Sequence, residues 1–162
     1  MTKARRNKKN PSRADRLNDT VELAEKSKNI LDELTSDLND AVELGMDKEQ
    51  NTKIVDSIID ALMNVEDARD RVQELHDEME SWAGNMEGTN LENTQKYEDV
   101  SSARDILDSA VGFLNNIDIK DTAELTDMDA SDLLEYVTDA VSELENAIDE
   151  CSGVEFPGAF GR

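Results

Sequence analysis

A chain of 162 residues with 4% aromatic and 35% charged residues suits one helical domain with aliphatic seams rather than a β-sandwich or an α/β enzyme. Its formal net charge of −22 repels nucleic acid and anionic membrane and favours basic protein surfaces or cations. The single cysteine, Cys151, excludes an internal disulfide and a cysteine-based zinc site.

The charge is divided along the chain. Lys3, Arg5, Arg6, Lys8, Lys9, Arg13 and Arg16 against Asp15 give +6 over residues 1 to 16, leaving −28 for the remainder. Met1 to Asn10 has no apolar periodicity and is expected to be disordered. Residues 1–12 are therefore read as a basic leader, 13–152 as an acidic helical domain and 153–162 as an irregular tail.

Pro11 and Ser12 mark a helix start, with Ser12 placed to accept a backbone hydrogen bond and Asp15 to favour the positive helix end. The first helix runs to about Leu44. Its apolar residues include Leu17, Val21, Ala24, Leu31, Leu34, Leu38, Ala41 and Val42, but Lys28 and Thr35 occupy ideal seam positions. A drifting stripe is expected, which favours a bundle over a long two-stranded coil. Gly45 stops the helix, and Asp47 with Gln50 caps the next one, forming a tight hairpin.

The second helix, Lys48 to about Ala83, carries the most regular pattern in the chain. Ile54, Ile58, Ala61, Val65, Ala68, Val72, Leu75, Met79 and Trp82 alternate four- and three-residue steps, keeping one seam facing a partner over about 43 Å. Val55, Ile59 and Leu62 widen the apolar face of its first half. After Gly84 to Gly88, Thr89-Asn90-Leu91-Glu92 reads as a capping box opening a third helix. There the seam resumes in Tyr97, Val100, Ala103, Leu107, Ala110, Leu114 and Ile117, with Gly112 inside it. Asn115 to Asp129 is expected to be a loop with one short helical turn. The last helix repeats Leu133, Val137, Ala140, Leu144, Ala147 and Cys151, and Gly153 ends it. The fold class is all-α: a four-helix antiparallel bundle, or paired helical hairpins, with coiled-coil-like seams.

Chemistry-bearing patterns are few. Asp56, Asp60, Asp67, Asp70, Glu74 and Asp77 lie opposite the seam of the second helix, and Asp132, Glu135, Asp139 and Asp149 do the same on the last. Side chains three or four apart are about 5 to 6 Å from one another, so these are rows of like charge. Such a row is either a solvated face, a surface for a basic partner, or an imitation of the phosphate ladder of duplex DNA. In charge and size the chain resembles the small acidic inhibitors that viruses of bacteria use. His76 is the only histidine, so the paired Glu-x-x-His motifs of a di-iron bundle are excluded. The run from Asp127 begins like a calcium loop but lacks its glycine and its bidentate glutamate. No cofactor is expected. Without a nucleophile beside an oriented base or a glycine-rich phosphate loop, no catalytic residue is assigned and the protein is expected not to be an enzyme.

The two ends offer further candidates. Lys3, Arg5, Arg6, Lys8 and Lys9 form a basic tether, the one segment suited to direct nucleic-acid contact. Phe156 and Phe160 form a docking tail, either for a partner or for Trp82 in an internal clasp. No segment approaches the about 18 apolar residues of a membrane span, and the N-terminus lacks a secretory apolar run. A cytoplasmic protein with a basic protein partner is expected, with self-association through the seams as a further route.

Overall fold

The computed structural model describes residues 11–157. The basic tether Lys3, Arg5, Arg6, Lys8 and Lys9, the expectation of disorder there, and Phe160 all lie outside the described residues. Those described form α1 (Arg13–Leu44), α2 (Lys48–Met86), a 3-10 turn (Asn90–Asn93), α3 (Gln95–Asn115), the short α4 (Thr122–Thr126) and α5 (Ala130–Ser152), with no strand among them. This is the expected all-α bundle. No described helix is long and apolar enough to cross a membrane.

Packing fixes the order of the helices around the core. α1 packs on α2 and α5, and α3 packs on the same two, so α2 and α5 occupy opposite corners. Arg13 at the head of α1 reaches Glu78 late in α2, Tyr97 at the head of α3 reaches Glu87 beyond the end of α2, and Ala41 shares a groove with Ala130. Successive long helices are thus antiparallel. α2 has 39 residues and α3 only 21, so α3 runs along the C-terminal part of α2, while α4 in the following connection also packs on α2. Leu125 of α4 is fully buried in the same core.

The caps of the first two helices are those expected, and Asp129 caps the last. Ser12 Oγ accepts from Asp15 N at 3.0 Å, Asp47 Oδ1 from Gln50 N at 2.8 Å, and Asp129 Oδ1 from Asp132 N at 2.8 Å. Gly45, at φ 87°, lies in the positive-φ region that costs glycine little. The third long helix starts later than its sequence suggests. Thr89 Oγ1 accepts from Leu91 N in the 3-10 turn, and Glu92 accepts from Gly88 N at 3.0 Å. Thr94 then caps α3, accepting from Tyr97 N. The Thr89 to Glu92 motif therefore closes a turn instead of opening a helix.

Two seams depart from expectation for identifiable reasons. In α1 the stripe does not drift: Leu17, Thr20, Ala24, Ser27, Leu31, Leu34, Leu38 and Ala41 are all buried. Thr20 donates to Arg16 O at 2.7 Å and Ser27 to Ala61 O on α2 at 2.9 Å. Each hydroxyl finds a main-chain acceptor, so burying it costs less than burying the Lys28 ammonium on the alternative register. In α2 the seam from Ile54 to Met79 is buried, but Trp82 is half-exposed and Ala83 and Met86 replace it. A straight helix drifts about 20° per heptad from a strict seven-residue repeat. Over four heptads that drift carries Trp82 off the stripe and brings Ala83 onto it. Val55 and Leu62 are buried beside the seam as expected. Gly112 is exposed with open space where a Cβ would stand, so it is tolerated there and permits no close helix approach.

Candidate functional site

The inner stripe of α5 aims its other side at solvent. Leu133, Val137, Ala140, Leu144, Ala147 and Cys151 are buried, which leaves Asp132, Glu135, Asp139 and Asp149 exposed. The approach to α5 is built from carboxylates as well. Asp121 accepts from Glu124 N at 2.8 Å and Glu124 accepts from Asp121 N at 3.0 Å, closing a capping box on α4. From residue 121 to 157 the chain holds twelve Asp and Glu and no Lys, Arg or His.

Compensation from other elements is slight. Lys28 Nζ stands 3.9 Å from Glu145, and Lys120 Nζ stands 5.8 Å from the centroid of the Tyr136 ring. Lys120 also pairs with Asp118 at 3.0 Å. Carboxylates spaced 5 to 6 Å apart lie within the Debye length of about 8 Å at physiological salt, so their fields add along the helix.

The row on α2 has a different setting. Asp56, Asp60, Asp67, Asp70, Glu74 and Asp77 are all exposed, but four have cationic or histidine neighbours. Arg71 Nε lies 3.1 Å from Asp67, Arg69 Nε 3.8 Å from Asp70, Arg16 3.4 Å from Glu74, and His76 Nδ1 3.0 Å from Asp77. Only Asp56 and Asp60 stand without an ion pair among the described residues. Because α2 and α5 sit at opposite corners, the two acidic rows face opposite sides and do not join.

Beside the N-terminal end of α5 lies an open groove of about 590 Å³, in which Val42, Met46 and Met128 stand among Asp47, Lys48, Asn51 and Asp129. Val42 is 47% exposed and Leu44, the last residue of α1, 85%. The acidic face of α5 therefore ends at a recess with methionine and valine side chains among polar ones, and protein interfaces commonly combine the two.

Trp82 and Phe156 have separate settings. Arg13 of α1 and Lys96 of α3 stand over the Trp82 ring at 5.2 and 5.7 Å from its centroid. Phe156 lies with Pro157 along Asp99, Ser102, Ala103 and Ile106 of α3, and packs against the core. The described part of the tail thus rests on α3.

A clamp not foreseen in the sequence joins the ends of α1 and α2. Arg16 gives Glu78 two hydrogen bonds of 2.9 and 2.6 Å, and Arg13 Nε adds a third at 2.9 Å. The hydrogen bonds from Arg16, with the one from Arg13, hold the Glu78 carboxyl below its ordinary range. Arg13 and Arg16 share a helix face three residues apart, which is a signal. That Glu78 meets them depends on hairpin register, which is not. Elsewhere, Tyr136 donates to Asp118 O, and burial pushes its phenol up to about 12. The absence of cations between Lys120 and Arg162 was legible in the sequence as a single gap, yet helix-by-helix reading divides it.

The fold and its surface define an acidic antiparallel four-helix bundle. No protein-family model, curated protein or solved structure matches the chain.

Proposed function

We propose that this is a non-enzymatic binding protein that engages a basic protein partner through α5 and the connection before it. The observation that carries this reading is the cation-free segment from 121 to 157, whose carboxylates α5 presents on one exposed side. The groove at its end, with Met46 and Met128 in its lining, supports the reading by offering a partner side chain a recess. A basic partner would set Lys or Arg against Asp132, Glu135 and Asp139 and an aliphatic or aromatic side chain into the recess by Met46 and Met128. Charge complementarity of this kind chiefly raises association rates and selects partners.

The seams of all four long helices are occupied within one chain, which favours this reading over a scaffold whose seams pair between chains. Nucleic-acid mimicry remains the second reading, favoured by the exposed row on α5, about 25 Å long at roughly 1.5 Å per residue. The pairing of α2 carboxylates with Arg16, Arg69 and Arg71 weakens that helix as a phosphate imitation.

The test is affinity purification from the native host with the full chain as bait, followed by mass spectrometry. Wild type is compared with D132N/E135Q/D139N/D149N on α5 and D56N/D60N/D67N/D70N on α2. A basic protein is expected to be captured by wild type and the α2 variant, lost with the α5 variant and eluted by salt. Equal capture by the α5 variant refutes the assignment. Competition of the captured protein by duplex DNA selects mimicry.

A further inference from the structure

Basic residues are concentrated just before α1. Lys3, Arg5, Arg6, Lys8 and Lys9 stand with no carboxylate among residues 1 to 14, and they join the bundle at Ser12, the exposed cap of α1. The next two cations turn toward α2, where Arg13 holds Glu78 and Arg16 holds Glu78 and Glu74. Gln73 and His76 occupy Asp77 on the same helix. The α2 side of this end is thus already compensated.

The α5 side is not. Lys28 Nζ stands 3.9 Å from Glu145, which fixes the level of α5 against α1 and marks the edge between them. Glu25, three residues before Lys28, lies on the same side of α1. Because the two helices are antiparallel, Asp149, one turn beyond Glu145, comes level with it. Glu25 and Asp149 are both exposed, and neither has an ion pair among the described residues. Three carboxylates therefore share this edge with one lysine.

The basic segment is tethered at the right distance to supply the missing charge. At about 1.5 Å per helical residue, Glu25 and Asp149 lie about 18 to 20 Å along the bundle from Ser12, and Glu145 about 24 Å. Arg6 and Arg5 precede Ser12 by six and seven residues, and a chain extends at most about 3.3 to 3.6 Å per residue, so they reach about 20 to 25 Å. Lys3 reaches about 30 to 32 Å, short of Glu135 and Asp132 at about 39 to 44 Å. Exposed ion pairs are weak singly, but a short tether holds the cations at a local concentration in the millimolar range.

We propose that residues 3 to 9 dock in cis along the edge between α1 and α5, setting Arg5 and Arg6 against Glu25, Glu145 and Asp149. Docked, the segment covers the C-terminal half of the α5 face and leaves Asp132 and Glu135 open beside the groove. A basic partner then enters at the groove end and displaces the segment to cover the rest, a consequence that alone rests on the function proposed above. The docking itself is a property of the isolated chain.

The experiment places a nitroxide at position 4 of the full chain, as A4C in a C151A background, and reads amide relaxation by NMR with no partner present. Amides of residues 22–28 and 142–152 are expected to relax at least about twofold faster than in the same protein carrying K3Q/R5Q/R6Q/K8Q/K9Q, and the excess should vanish in about 0.5 M sodium chloride. Amides of residues 131–136 and 56–70 should show no excess. E25Q/E145Q/D149N, all at exposed positions, should abolish it while far-UV circular dichroism stays that of wild type. Equal profiles for the basic and neutralised segments, an excess that survives in E25Q/E145Q/D149N, or one centred on α2 each overturns the docking. So does the same broadening in a mixture of spin-labelled and isotope-enriched unlabelled chains, which would place the segment on a second copy.

Discussion

Replacing Ser27 tests the register of α1 directly, because the two possible stripes of that helix give opposite signs. Ser27 is fully buried and donates to the Ala61 carbonyl at 2.9 Å, so its Cβ faces the α2 backbone across an alanine. Ser27→Ala removes one neutral hydrogen bond and leaves no orphaned donor, and it is expected to cost about 0.5 to 1 kcal/mol. Ser27→Leu adds three carbons where α2 main chain already stands in contact, and overpacking of that kind costs about 1 to 3 kcal/mol. Lys28 is half-buried, 3.9 Å from Glu145, so Lys28→Leu is expected to change stability by less than about 1 kcal/mol. On the alternative stripe the order reverses: Lys28→Leu would fill the core and add about 1.5 to 3 kcal/mol, and Ser27→Leu would be nearly silent. Urea titration followed by far-UV circular dichroism distinguishes these outcomes. With a slope of about 1 to 3 kcal/mol/M, the Ser27→Leu midpoint should fall by roughly 0.5 to 1 M at unchanged slope. A Lys28→Leu variant markedly more stable than wild type, beside an unaffected Ser27→Leu, refutes the structural register.

Glu78→Gln removes the carboxylate from the Arg13 and Arg16 clamp. Since the folded carboxyl is held below its ordinary 4.5, its stabilisation is full above that value and is lost as acid protonates it in the folded state. The variant should be less stable than wild type by about 1 kcal/mol at neutral pH, discounted for its partial exposure. The gap should close as pH falls below 4.5; a gap of equal size in acid would place its origin outside the ion pair. Cys151 is buried, and that burial pushes its thiol up to about 11. It should therefore react with a disulfide reagent far more slowly in the native protein than in urea. Equal rates would show that the end of α5 is open.

Sequence patterning made the seams legible because each long helix repeats apolar residues at three- and four-residue steps. The interior of α2 needed no structure to be placed, from Ile54 to Met79. Its end did, since whether Trp82 or Ala83 faces inward depends on how far the helix supercoils, a property of the neighbours. Hydropathy also misplaced the α1 stripe. Ser27 and Thr20 count as polar by composition, yet a small hydroxyl with a carbonyl in reach is cheaper to bury than an ammonium. The Thr89 to Glu92 motif failed for another reason: a threonine and a glutamate at that spacing satisfy a tight turn as well as a helix start. Of the candidate sites, the exposure of both acidic rows followed from helical phase alone. That one row is paired with arginines, and that the two rows face opposite sides, follows from packing order. That Asp108 of α3 comes within 3.8 Å of His76 is likewise invisible before α2 and α3 are set in register.

The distribution of charge within α5 argues that its acidity is not merely a means of solubility. None of the four long helices has a basic residue in its last turn. α1 and α5 go further and place Asp40 with Glu43, and Asp149 with Glu150, near that end, against the negative pole of the helix, where each like charge costs about 0.3 to 1 kcal/mol. Lysine at these sites would keep the face equally soluble and would interact favourably with both the dipole and the carboxylates one turn earlier. α2 shows that this chain uses such compensation, with Arg71 one turn from Asp67 at 3.1 Å. The two helices that forgo it meet at the groove of Met46 and Met128. A local departure from stabilising patterning is expected at functional surfaces. Here it coincides with an exposed acidic face and a groove, the two features on which the proposed basic partner would dock.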